Sequence, residues 1–576
     1  MILSDKLANK IAAHIQKIYK EEFSEGVVNE IYKILTDYSP VETCRDSLWS
    51  SKDIVLIAYG DSVLSQGKTP LKALHGFLNE YLGRTITCVH ILPFFPFSSD
   101  DGFSVMDYVN VNPDLGDWQD IGAIARDYEV MADLVINHVS KRHQWFANYL
   151  QNTEPGKNYF ISVDPHTDLS SVVRPRSTPV LTGFTSADGI KHVWTTFSED
   201  QVDLNFSNPV VLIEIIKILL FYIKQGIRII RLDAIAFLWK KPGTTCLHLP
   251  ETHEIVKLLR TIGTSLDPGF IVLTETNVPN RENLSYFGAG DEAHMVYQFS
   301  LPPLLLYTLY SGNARYLLSW LSSLPEPGGN CTFLNFTASH DGIGVRPLEG
   351  LIPVHEVNSM LESMQQSGGR LSLKRNPDGS ESVYEINITY FDALKGTSHG
   401  FDNRQADRFL CSQIIMLGLK GIPAFYIHSL LATPNDYEGM ERTGRSRSIN
   451  RKKYTDEEIR SLLNQDTFNN FIFRELKSIT DTRKTQSAFH PDSHLDILTA
   501  DSCFVAFTRD NPDTGEKIHC ISNISGLPKK FQLEVLLQGN TELLDLIGNK
   551  KITGNRDIVT INPYQTLWLK ESDPHK

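Results

Sequence analysis

The stretch GIRIIRLDA, residues 226–234, reads as a strand carrying charges amid apolar residues. Ile227, Ile229, Ile230 and Leu232 make an aliphatic run, and Gly226 in front of it can end a helix. Upstream, Ser207 can cap a helix start, Pro209 lies in the first turn, and Glu214, Lys217 and Lys224 interrupt an otherwise apolar face. A helix leading into an apolar strand is part of a βαβ pattern, and that pattern continues on both sides. The runs are IVLIAY (54–59), ITCVHIL (86–92), VMADLVI (130–136), IRIIRLDA (227–234), FIVLTE (270–275), HMVYQF (294–299), TFLNFTA (332–338) and IPAFYIH (422–428). Eight nearly continuous apolar strands with helix-length connections predict parallel strands covered on both faces, hence an α/β chain closed as a (β/α)8 TIM barrel. An open doubly wound sheet is the alternative, but no Gly-rich phosphate loop follows any early strand.

The barrel is expected over 51–138 and 206–486. Residues 1–50, with Leu7, Ile11, Ile15 and Ile18 at helical spacing, predict an N-terminal helical extension. Two connections are too long for ordinary barrel loops: 139–205 after strand three, expected as an inserted domain B, and 342–400, which contains KRNPDGSES, expected as an extended active-site loop region. From 487 to 576, runs such as CFVAFTR and TLWLK with turns at NPDTG and ISG predict a C-terminal antiparallel β domain.

Composition narrows the function. The chain has 576 residues, 41% hydrophobic and 21% charged, which suits a packed core and not a disordered chain. A net charge of −13 with no Lys/Arg-rich block argues against nucleic acid as a partner. The longest apolar stretch, 210–230, is broken by Glu214, Lys217 and Lys224 and reads as a buried amphipathic helix, so no membrane partner is expected. The N-terminal segment has no signal-type apolar region, and a cytoplasmic location is expected. Seven scattered cysteines, never in a CxxC pair, predict reduced thiols with neither a disulfide framework nor a zinc site.

In such a barrel the reacting groups belong where strands end. Arg231 and Asp233 lie two apart, on one side of their strand, and would be costly to bury without partners; a purely structural Arg–Asp pair is the competing reading. The next strand ends in Glu275 (IVLTETNVP), strand seven in His340-Asp341-Gly342 (TASHDGIG), and strand three in Asp133, Asn137 and His138 (DLVINH). Three carboxylates from different strands are what retaining glycoside chemistry needs: one attacks the anomeric carbon, and one of raised pKa protonates the leaving oxygen from about 5 to 5.5 Å away. The third can stabilise oxocarbenium-like charge.

DLVINH, GIRIIRLDA, TETN and ASHDGIG, in this order, resemble the four signature regions of the α-amylase-type glycoside hydrolase family. The resemblance implies Asp233 as nucleophile, Glu275 as general acid/base and Asp341 as transition-state stabiliser, with Arg231, His138 and His340 holding the sugar and the nucleophile. Gln201 and Asp203, in FSEDQVDLNF, resemble the family's region in the long loop after strand three. Asn137 and Asp203 match places that help bind calcium in some amylases, but the further oxygen ligands calcium needs are not identifiable, and no metal is expected.

HILPFFPFSSDDGFSVMDY, WTTFSEDQVD, YEINITYFDAL and GRSRSINR are similar to the sucrose-phosphorylase subfamily, whose members transfer glucose to inorganic phosphate. That resemblance implies a glucose pocket closed by a pair, Asp100 and Arg447, and lined by Phe103 and Phe197. The N-terminal extension with FLWKKPGTTCLHLPETH, FGAGDEAHMVYQFSLPP and SHDGIGVRPLEGLIP looks more like the branch of glucosylglycerate phosphorylases, with glucosylglycerol phosphorylases as near relatives. The implied function is reversible phosphorolysis of a small α-glucoside, 2-O-α-glucosylglycerate ahead of glucosylglycerol, to α-glucose 1-phosphate and free acceptor. Sucrose or sucrose 6-phosphate phosphorylase, an α-glucosidase or transglucosidase, and a non-catalytic sugar-binding protein are the competing readings. Arg346 can pair with an anionic acceptor or with phosphate, or within its own loop with Glu349. No cofactor is expected, phosphate being a co-substrate, and a homodimer through the N-terminal helices is the assembly considered.

Overall fold

The computed structural model describes residues 5–571 apart from 21–24, 39–46, 177, 329, 376–379, 534–535, 537–541 and 553–557. Cys44 and much of the KRNPDGSES stretch lie outside the described residues. Eight parallel strands close a barrel: β1 Val55–Ala58, β2 Cys88–Ile91, β3 Glu129–Val135, β4 Ile227–Asp233, β5 Ile271–Thr274, β6 Met295–Tyr297, β7 Thr332–Phe336 and β8 Ile422–Tyr426, each beside its sequence neighbours and β8 beside β1. These strands are buried on both faces, which is why they read as unbroken apolar runs. The register sets Asp133 of β3 across from Arg231 of β4, and Val135 across from Asp233.

Two helices lie at the front of the chain, α1 Asp5–Tyr19 and α2 Glu25–Thr36, and two follow around the barrel, α3 Pro209–Lys224 and α4 Pro250–Leu266. The cap of α3 is Asn208, whose side chain accepts from Val210 N–H; the Ser207 hydroxyl instead donates to Asn205 Oδ1 at 2.6 Å. The apolar stretch 210–230 is therefore a helix followed by a strand, with the turn between them at Gly226, φ +88°. Ten of the sixteen residues of α3 are buried, more than one face, because α2 covers its outer side. Each fully buried aliphatic side chain there contributes about 1.5–3 kcal/mol of transfer free energy.

The first helix packs on α4 and is pinned by polar contacts: Lys20 to Glu251 at 2.7 Å, and Lys17 and His14 to Glu254 at 3.2 and 2.6 Å. Ile11, Ile15, Ile18, Val27, Ile31 and Leu35 join the main core, so both apolar faces are used within the chain. Between β3 and α3 the chain forms a helix, Gln144–Gln151, and a hairpin, Leu181–Ser186 with Gly189–Trp194. Between β7 and β8 it forms a helix, Val354–Gln366, and a three-stranded antiparallel sheet that includes Glu381–Asn387. The chain ends in a six-stranded antiparallel sheet from His494–Ile497 to Thr566–Glu571.

Candidate active site

The C-terminal ends of β3, β4, β5 and β7 converge on one mouth. At its floor the Arg231 guanidinium is buried between two carboxylates, bonding Asp133 and, at 2.7 Å, Asp233. His90 of β2 holds the other oxygen of Asp133 at 2.7 Å. The Arg–Asp pair is thus real and belongs to the site: it fixes the orientation of the Asp233 carboxylate.

Ala234, directly after Asp233, sits at φ +51°, a left-handed conformation that a non-glycine residue adopts at a cost. The turn aims its peptide N–H at Glu275 Oε2, 2.9 Å away, so the backbone beside one carboxyl holds the other. Burial pushes both carboxyls above the ordinary range; Glu275 raises Asp233 further, and Asp341 raises Glu275. Arg231 bonds Asp233 directly, whereas Glu275 faces the Asp341 charge and has one neutral peptide donor. The Arg231 guanidinium thus favours the charged form of Asp233, and the Asp341 charge favours the protonated form of Glu275.

Asp341 is half-buried, yet the Arg447 guanidinium, 2.5 Å away, outweighs the desolvation and holds its carboxyl well below the usual range. Arg447 is itself gripped by Glu385, Nε to Oε1 at 2.9 Å and Nη2 to Oε2 at 2.8 Å. This corrects the expected Asp100–Arg447 pair: the two-pronged fit to Glu385 and the bond to Asp341 occupy the guanidinium. Asp100 stands nearby at φ +53°, its carboxyl lowered against burial by Arg447, then Arg451 and Arg176. Gly342 is what allows Glu385 so near, because a Cβ there would lie 2.8 Å from Ile386 O and 3.1 Å from the Glu385 side chain.

The rings of His340 and Phe103 stack at 4.8 Å, and Phe197 lies 5.2 Å from His138. The Phe103 carbonyl accepts from His138 Nε2 at 3.0 Å and Gln201 Nε2 at 3.3 Å. Burial lowers the His138 imidazole and takes His340 down to about 3, so both are neutral near pH 7. Of the expected site residues all but Arg231, which lies beneath, line one cavity. Arg346 lines it as well. Its nearest carboxylate is Glu282, at 3.9 Å, and Glu349 pairs with Lys374 instead, which overturns the intraloop pairing.

Sequence reading missed Arg176, Phe237, Asn277 and Tyr384, which line the same cavity, and Glu385 behind it. It also missed Lys240. The Lys240 ammonium is buried 2.7 Å from Asp203 Oδ2 and 2.5 Å from Asn137 Oδ1, while Thr196 donates to Asp203 from its peptide at 2.9 Å. Those two side chains therefore do not fit a metal: the place is filled by a covalently attached cation. Among the described residues no cluster of three metal-ligating side chains occurs.

Residues 80–319 match the model of the alpha-amylase catalytic domain. The chain is 42% identical to the glucosylglycerate phosphorylase of Escherichia coli K12, over 98% of this chain and 100% of that protein. It is 44% identical to the glucosylglycerate phosphorylase of Spirochaeta thermophila, over 90% and 89% of the two chains. Among solved structures, the sucrose 6F-phosphate phosphorylase from Thermoanaerobacter thermosaccharolyticum superposes with a TM-score of 0.73 at 26% identity, covering 89% of this chain and 98% of that one.

Proposed function

The chain belongs to the α-amylase family and, within it, to the family of the glucosylglycerate phosphorylases, and from that premise we propose that it is a retaining phosphorylase of 2-O-α-glucosylglycerate. Asp233 attacks the anomeric carbon while Glu275 gives its proton to the departing glycerate oxygen, leaving a β-glucosyl ester on Asp233. Phosphate then enters where glycerate stood, gives its proton to the Glu275 carboxylate as it attacks the same carbon, and breaks the ester, releasing α-glucose 1-phosphate with net retention and restoring Glu275. Asp341, locked as an anion by Arg447, faces the positive charge that develops in both steps. Asp100, Phe103, His138, Phe197, Gln201, His340 and Arg447 surround the glucose, and Arg231 orients the nucleophile.

The observation that carries the reading is Arg346. Its guanidinium lines the cavity and its buried Nε has no partner in the protein, as suits a site that receives two anions in turn, glycerate and phosphate. Arg176 is a second guanidinium facing that space. The test is phosphate release from α-glucose 1-phosphate with D-glycerate, glycerol, fructose, fructose 6-phosphate or no acceptor. Release should be greatest with glycerate; equal release with and without acceptors would make water the acceptor and the enzyme a hydrolase.

The enzyme works without a cofactor, a proposal supported by Lys240 in the place of a metal ion and checked by full activity in a chelator. Among the described residues no helix is long and apolar enough to cross a membrane. We place the enzyme in the cytoplasm, where a charged sugar phosphate is retained, with neither nucleic acid nor membrane as partner. A homodimer is the assembly to test by light scattering.

A further inference from the structure

At one end of the cavity two polar side chains each carry a buried atom with no partner in the protein. The Arg346 guanidinium has a buried, unpaired Nε, and Glu282 Oε2 stays 3.9 Å from its Nη2. The Asn277 amide lines the same cavity, and its buried Oδ1 is unpaired as well. Leaving such groups unmatched is costly, so the arrangement calls for a ligand that matches them.

Neither group is loosely placed. The Tyr286 hydroxyl donates to His248 Nδ1 at 2.9 Å, and His248 Nε2 donates to Glu282 at 3.1 Å, so Glu282 is tethered from behind. Asn277 is seated against Gly344: a Cβ at that glycine would lie 2.7 Å from Asn277 Oδ1 and 3.0 Å from Nδ2. It also stands two residues beyond Glu275, whose proton goes to the leaving oxygen.

We infer that Arg346 and Asn277 divide the acceptor between them, Arg346 taking the carboxylate and Asn277 the hydroxyl on the carbon beyond the bonded one. The inference rests on the phosphorylase reading and narrows its acceptor to a 2,3-dihydroxy acid. A guanidinium offers only donors and suits a carboxylate, whereas an amide both donates and accepts and suits a neutral hydroxyl.

The experiment measures kcat/KM for phosphate release from α-glucose 1-phosphate with D-glycerate, glycerol, which lacks the carboxylate, and D-lactate, which lacks the outer hydroxyl. In the wild type the value should drop about 100-fold from glycerate to glycerol and about tenfold from glycerate to lactate, because each analogue leaves a polar group of the site unmatched. Arg346→Gln should bring the glycerate-to-glycerol ratio within about threefold and leave the lactate ratio standing; Asn277→Ala should do the reverse. Both ratios are taken within one preparation, so partial misfolding cancels. A common fall for all three acceptors in either variant, or each variant erasing the other's ratio, overturns the division. Equal phosphate release by the wild type with and without acceptors is a different result, one that removes the phosphorylase reading itself.

Discussion

At the glucose end of the cavity each charge is held by another: Arg231 by Asp133 and Asp233, Arg447 by Asp341 and Glu385. At the acceptor end Arg346 makes only a long contact to Glu282, and the buried Nε of Arg346 and Oδ1 of Asn277 have no partner in the protein. The difference follows from what each end does. Groups that must meet a fleeting positive charge gain from being fixed beforehand, since no reorganisation is then left for the moment of reaction. Groups that must release one ligand and admit another gain from having their bonds free.

If that contrast is right, changes at the glucose end cut the rate for every acceptor alike. The largest loss is expected for Asp233→Asn, about 10⁴-fold or more in kcat, because no covalent intermediate can form. Trapping of a glucosyl-enzyme by mass spectrometry, positive in the wild type and blank in the variant, checks it. Glu275→Gln should lose about 10²- to 10⁴-fold and also change the shape of the pH profile. The wild type must keep a proton on Glu275, so its phosphorolysis declines as pH rises through that raised pKa. The glutamine variant should lack the alkaline limb, which a pH series of kcat/KM reads directly.

Outside both ends, Lys240→Met leaves the Asp203 carboxylate buried without its cation and should cost about 3–5 kcal/mol of stability, read by denaturant unfolding. Glu385→Gln keeps the shape but not the charge that steadies Arg447. It should lower kcat/KM about tenfold, uniformly across acceptors, since it acts through Asp341. An effect confined to one acceptor would blur the boundary between the two ends.

The barrel was legible because burial on both faces writes each strand as an apolar run, and Asp233, Glu275 and Asp341 were legible because a carboxylate at the end of such a run has no structural reason to be there. Arg176, Tyr384 and Glu385 were not, since they come from long connections whose path no periodicity records. The partner of Arg447 was misassigned for the same reason: Glu385 lies 62 residues earlier, on a strand of the loop sheet, and only the fold brings them together. Asn208 was passed over for Ser207 because both are good caps and lie side by side; the register of the proline decides between them.

Lys240 gives the segment between β3 and α3 a cation it cannot lose. A bound ion obeys mass action and departs on dilution. An ammonium on its own stem has an effective concentration set by the chain alone. Phe197 and Gln201, carried by that segment, thus keep their station whatever the ion supply of the surroundings. Because burial draws the Lys240 ammonium below the usual lysine range, alkali is the condition that would strip the clamp of its charge.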